Sequence, residues 1–180
     1  MLKFLAIVLI GIAMAAVAVV AYASMLPDDF RIQRSARINA PADAIFPHIN
    51  SLKAFDEWNP FVKRDPAIKV AYSGPDSGPG AKSAWDSSGS AGAGNLTITD
   101  SSAPSRIAMK LDMLKPIAAS NDIQFTIAPA DGGSDVTWEM SGKRPLIGKV
   151  ISVFMSMDRM VGGEFENGLA ELKRKSESGG

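Results

Sequence analysis

Cysteine is absent from this chain, so disulfides, thiolate nucleophiles and Cys-held zinc or iron–sulfur centres are all excluded. There is one histidine, His48. A site with two histidine ligands is therefore impossible, and a Ser-His-Asp relay would have to use this one. Ile45, Ile49 and Leu52 define the buried side of its helix, which turns His48 sideways or outward, away from a catalytic role. An excess of either charge is missing too: with Lys3 set aside, 18 basic and 19 acidic side chains remain in residues 24–180. Such a balance gives no electrostatic footprint for nucleic acid, and no nucleic-acid partner is expected. Neither a metal nor a cofactor is implied. Gly89-Ser90-Ala91-Gly92-Ala93-Gly94 is not a dinucleotide fingerprint, because a strand follows it where a phosphate-binding helix would be needed. It reads as a flexible hairpin turn.

Charge is also lacking over the 20 residues Phe4 to Ala23, a run long enough as a helix to cross a hydrocarbon core of about 30 Å. Residues 4–23 are expected to contact membrane, with 1–23 a transmembrane anchor in a single-pass protein of the cell membrane. A secretory signal peptide is the alternative: Lys3 would be its basic region and Ala21-Tyr22-Ala23 its cleavage site, leaving a secreted domain. Lys3 and the free amine favour a cytosolic N-terminus. The domain would then lie on the extracytoplasmic side. Residues 24–30, with Pro27, read as a short linker, 31–176 as the folded domain and 177–180 as a disordered tail.

Within the domain, Ile32, Ala36 and Ile38 alternate with Gln33, Ser35 and Arg37, the period-two pattern of a half-buried strand. Pro41 suits the opening of a helix whose apolar face is Ile45, Phe46 and Ile49, while Pro47 should bend or shorten it. Trp58-Asn59-Pro60-Phe61 places two aromatics around a turn. From Ile68 onward the period is two again, through Trp85, Ile98, Met109 and Met113, Phe125, and Trp138 and Met140, separated by Gly, Pro and Asp turns. A meander of antiparallel strands follows from it, with one face covered and one wet. Val150, Phe154, Met157, Val161, Phe165, Leu169 and Leu172 recur at spacings of three and four, a helical stripe that covers the sheet. Gly162-Gly163 beside the stripe suggests a bend or a close approach to the sheet. The fold class is α+β: a curved antiparallel sheet wrapped around a long C-terminal helix and preceded by one N-terminal transmembrane helix.

The segment Arg34 to Phe61, with Ser73-Gly74-Pro75, Gly78-Pro79-Gly80 before Trp85, Val136 to Gly142, and Gly163-Glu164-Phe165-Glu166-Asn167-Gly168-Leu169 through Lys173, resembles one family. That family is the polyketide cyclase/dehydrase and lipid-transport branch of the START-like helix-grip superfamily (SRPBCC). The likeness runs from about Phe30 to Lys175. It implies a helix-grip fold with a cavity between sheet and helix. It does not fix a reaction, since this superfamily carries cyclases, dehydratases, lipid carriers and hormone receptors on one scaffold.

Trp58, Phe61, Trp85, Met109, Met113, Phe125, Trp138, Met140, Phe154 and Phe165 are all expected to point inward. They would line a pocket for a lipid or other hydrophobic small molecule, or else fill an ordinary core. Arg34 shares the inward strand face and demands a carboxylate, with Glu164 and Glu166 the candidates. Asp28-Asp29, Asp56-Glu57 and Glu139 read as solvated, which leaves few acids, bases or nucleophiles inside. A membrane-tethered binding protein is the first expectation. A polyketide cyclase/dehydratase-like enzyme acting on an apolar substrate in the same cavity is the second, and a structural domain with a filled core the third.

Overall fold

A computed structural model describes residues 1–178. The apolar run forms helix α1 (Leu2–Met25), exposed for most of its length, with Ala23 fully buried near its end. It is one helix long and apolar enough to cross a membrane. Three residues later the chain enters β1 (Asp29–Ile38), so the expected linker 24–30 contracts to Leu26, Pro27 and Asp28. Three short helices follow: α2 (Ala42–Asn50), α3 (Leu52–Asp56) and α4 (Pro60–Lys63). Then comes the meander β2 (Lys69–Ser73), β3 (Lys82–Asp86), β4 (Ala93–Ser102), β5 (Arg106–Lys115), β6 (Ala119–Ala130) and β7 (Gly133–Lys143). The seven strands form one antiparallel sheet in the order β1-β7-β6-β5-β4-β3-β2. Alternation produces it: along β7, Ser134, Val136, Trp138 and Met140 are buried and the residues between them half-exposed.

The C-terminal stripe is not one helix. It divides into α5 (Leu146–Phe154) and α6 (Met157–Glu177), because Met155 is extended and the Ser156 hydroxyl caps a new helix through Arg159 N–H at 3.3 Å. Only α6 lies along the sheet, over β1 and β7 and beside α2 and α4, where it buries Phe165, Leu169 and Leu172. α5 leaves the sheet and packs against α1. Because α5 leaves the sheet, Phe154 at its end faces solvent at 72% exposure, which corrects the expectation that it faces the core. Of the expected tail 177–180, Glu177 ends α6 and Ser178 caps it, while 179–180 lie outside the described residues.

Gly162 and Gly163 do different things within α6. A Cβ on Gly162 would strike the Arg34 guanidinium, so its missing side chain is what admits that group; around Gly163 there is open space. At Gly168 a Cβ would stand 2.7 Å from the Trp138 ring and 3.0 Å from Pro60. The close approach of helix to sheet is thus set at Gly162 and Gly168.

Candidate functional site

Between α6 and the sheet the space is filled by aromatic rings from four elements and a turn. Phe165 of α6 stacks on Trp138 of β7 at 4.1 Å between centroids. Trp138 meets Phe125 of β6 at 5.0 Å, and Phe55 of α3 meets Trp58 edge-on at 4.7 Å. Met109 and Met140 are buried in the same cluster. Six of the ten candidate residues are therefore together in the core: Trp58, Met109, Phe125, Trp138, Met140 and Phe165. The other four are not. Trp85 is half-buried and donates its indole N–H to the Ala91 carbonyl at 3.2 Å, and Met113 is half-buried near the end of β5. Phe61 is 40% exposed because α4 turns its Pro60 inward instead, and Phe154 faces solvent. Trp58 gives its N–H to the His48 carbonyl at 2.9 Å, but the buried Trp138 N–H has no partner.

A cavity of about 570 Å³ lies where α5 breaks from α6. Its floor is the start of β1 (Phe30 and Ile32) with Met157, residues that also pack against the core. Val153, Phe154 and Met155 form one side and Leu26, from the joint after α1, another. Arg31, Arg144 and Arg159 stand at its rim. Arg31 is bound to Glu139 at 2.6 Å, so Glu139 is not simply solvated as the sequence suggests. Arg144 lies over the Phe30 ring at 5.6 Å and its buried Nε has no hydrogen-bond partner. Among the described residues neither Arg144 nor Arg159 forms an ion pair. The Lys149 ammonium, buried, is clamped to the Asp28 carboxylate, and this contact holds the Asp28 pKa below the usual carboxylate range. Together with Arg144 N–H donating to the Asp28 carbonyl at 2.7 Å, it fixes α5 to the joint after α1.

Arg34 is satisfied by two acids rather than one. Its Nε donates to Glu166 at 2.6 Å and its two terminal nitrogens to the Asp158 carboxylate at 3.0 and 2.9 Å, hydrogen bonds that lower the Asp158 pKa. Glu164, the other candidate, pairs with Arg64. A carboxylate so held is a poor proton acceptor, although Asp158 borders the cavity.

Two further acids, Asp65 and Asp56, are held by hydrogen bonds. Asp65 is buried and accepts from Ala91 N–H at 2.8 Å, Ser87 Oγ at 2.9 Å and Ala67 N–H at 3.0 Å, so the glycine-rich hairpin is pinned rather than flexible. Those bonds, the one from Ala91 foremost, depress its pKa. Asp56 is largely shielded, and burial raises its pKa against the hydrogen bonds from Tyr72 at 2.9 Å and Asn59 at 3.3 Å. Tyr72 is in turn pushed up to about 12, by burial first and by Asp56 next. Tyr72 borders a second, small cavity of about 80 Å³ with Leu52, Lys53 and Ala81. Among the described residues no three His, Asp or Glu side chains are grouped so that they could hold a metal ion.

The family described as polyketide cyclase / dehydrase and lipid transport matches residues 29–177. No curated protein matches the chain. Among solved structures, an uncharacterized protein from Rhizobium leguminosarum superposes with a TM-score of 0.60 at 13% identity, over 84% of this chain and 96% of that one. Ara h 8.0201 gives 0.59 at 14% identity, over 83% and 99%. The di-domain ARO/CYC StfQ of the steffimycin biosynthetic pathway gives 0.62 at 13% identity over 84% of this chain, which spans about half (51%) of that protein. At such identities these likenesses establish the helix-grip fold alone.

Proposed function

The chain belongs to the polyketide cyclase/dehydrase and lipid transport family, and from that premise we propose that it binds a lipid or similar hydrophobic small molecule beside a membrane, with α1 as its tether. The cavity of about 570 Å³ between β1 and the α5–α6 break carries this reading. Its size suits a small-molecule ligand, typically held in about 300–1,000 Å³ of largely apolar space with a few polar groups. Phe30, Ile32 and Met157 offer the apolar floor, and the unpaired Arg144 and Arg159 at the rim suit a ligand with an anionic end, such as a fatty acid or acidic lipid. Leu26, the residue that follows α1, lines the cavity, which suits entry of a ligand from the bilayer. The domain then sits on the extracytoplasmic face, or is released there if α1 is cleaved as a signal sequence.

Binding of a fluorescent fatty acid to the full chain in detergent tests this. Saturable binding weakened about tenfold or more by Arg144→Gln, as loss of one charged hydrogen bond of about 1.5–3 kcal/mol implies, supports it. Binding unchanged by Arg144→Gln and by Val153→Trp together would remove the cavity from consideration.

The enzyme reading rests on a different observation. The shielded Asp56 accepts a hydrogen bond from Tyr72, itself 41% exposed, and both pKa values are displaced upward, a pattern found at functional sites. It sits at the β2 edge beside the 80 Å³ cavity rather than at the large one. Turnover of a polyketide-like substrate abolished by Asp56→Asn or Tyr72→Phe would make this the active site.

A further inference from the structure

Helix α5 has its polarity reversed. Leu146, Ile147, Ile151 and Phe154 are 39–72% exposed, while Lys149, its one charge, is turned inward to Asp28. At 3.6 residues per turn these four apolar side chains share an arc of roughly 140°. A helix of a water-soluble domain places such an arc against its core. A second apolar element lies at the same end of the domain. The register pairs Asp29 with Lys143, Gly142 with Asn121 and Met113 with Ala119, so the β5–β6 turn shares an end with the start of β1. That turn exposes Leu114 at 59% and Ile117 at 37%.

What covers this end is indicated by its neighbour. α5 packs on α1, whose buried Ala23 lies in its last turn, two residues before the end of the candidate span Lys3–Met25. The end of a membrane span lies at headgroup level, which fixes α5 at that depth. Cations flank both apolar elements, Lys143 and Arg144 before α5 and Lys115 beside Leu114, where long basic side chains reach from apolar surface to headgroups. We infer that this end of the domain docks into the bilayer interface, with α5 lying in the membrane plane and the Leu114–Ile117 turn inserted as a second wedge. The inference rests on α1 being a membrane tether. It goes further, because a tether alone leaves the domain free to stand off in water.

The absence of native cysteine allows single labels. Phe154→Cys, Ile117→Cys, Asp43→Cys and Val17→Cys, each carrying an environment-sensitive dye, are placed one at a time in the full chain and reconstituted in phosphatidylcholine vesicles. Lipids bearing a nitroxide near the headgroup quench dyes at that depth. Quenching at positions 154 and 117, with position 43 at the far end unaffected, is the expected result. If only the α1 label at position 17 responds to membrane-embedded quenchers, the tether stands and the docking surface is refuted. If no position responds, the tether itself fails and the inference with it. Dyes at 154 and 117 shielded from aqueous iodide but not quenched by the nitroxide lipid, and dependent on protein density, would assign the surface to a second copy of the chain and overturn the proposal.

Discussion

At the scale of single residues, charge placement was only half legible in the sequence. Arg34 announces its need for an acid because it shares a strand face with Ile32 and Ile38, and Glu166 answers it. Asp158 could not be found that way, since it reaches Arg34 only after the chain has broken helix and turned at Met155–Ser156. Asp56 reads as solvated in local sequence, which shows neither its burial nor the hydrogen bonds that reach it from Tyr72 and Asn59. Its consequence for stability has a definite sign. A carboxyl whose folded pKa is raised contributes stability that is complete below its unfolded value near pH 4 and lost as pH rises through the folded value. Asp56→Asn should therefore raise the thermal midpoint at pH 7–8, and the gain should vanish toward pH 4. Asp158, Asp65 and Glu171, the last brought down to about 2 by Arg174 and then Lys63, act in the opposite sense. Their contribution is complete above about pH 4 and fades as the solution is made more acidic. Melting curves of the two proteins from pH 3 to 8 check both signs, and an unvarying difference would reject the assignment to Asp56.

Among elements, strands were legible and the C-terminal helices were not. Period two survives in β1 and β5 to β7 because each has one face on the core. The break between α5 and α6 hid itself, since the step from Phe154 to Met157 is three residues, the same spacing a continuous helix would show. What betrays it afterwards is Ser156, a capping residue in mid-stripe. Within α6 the glycines can be told apart by substitution. Gly168→Ala would drive a Cβ into Trp138 and Pro60 and should cost about 1–3 kcal/mol, the usual range for overpacking. Gly163→Ala meets nothing and should be neutral or stabilising by up to about 1 kcal/mol through helix propensity. Urea unfolding of the two variants gives the comparison, and equal effects would mean that α6 does not approach the sheet as closely as the stacked Phe165 and Trp138 require.

For the whole molecule, the family and fold could be read from ordered motifs, but the site could not be read from aromatic inventory. Trp58, Phe125, Trp138 and Phe165 do face inward, and there they pack on one another, Phe165 stacked on Trp138 and Trp58 edge-on to Phe125 and Trp138. Inward direction is a one-residue property; whether inward residues leave a void depends on how four elements and a turn meet. The void falls instead where residues 26–32 meet two stretches distant from them in sequence, Arg144 and Ser152 to Arg159. Both that cavity and the apolar end of the domain lie where α1 departs. Lipid extraction and mass spectrometry of the full chain purified in nanodiscs, beside its Val153→Trp variant, bears most directly on the claim that an amphiphile is held in this cavity. The account expects one class of amphiphile enriched over the bulk lipid in the native protein and lost from the variant, with circular dichroism unchanged. Lipid content equal to that of empty nanodiscs, or an enriched molecule that the variant retains, would contradict it.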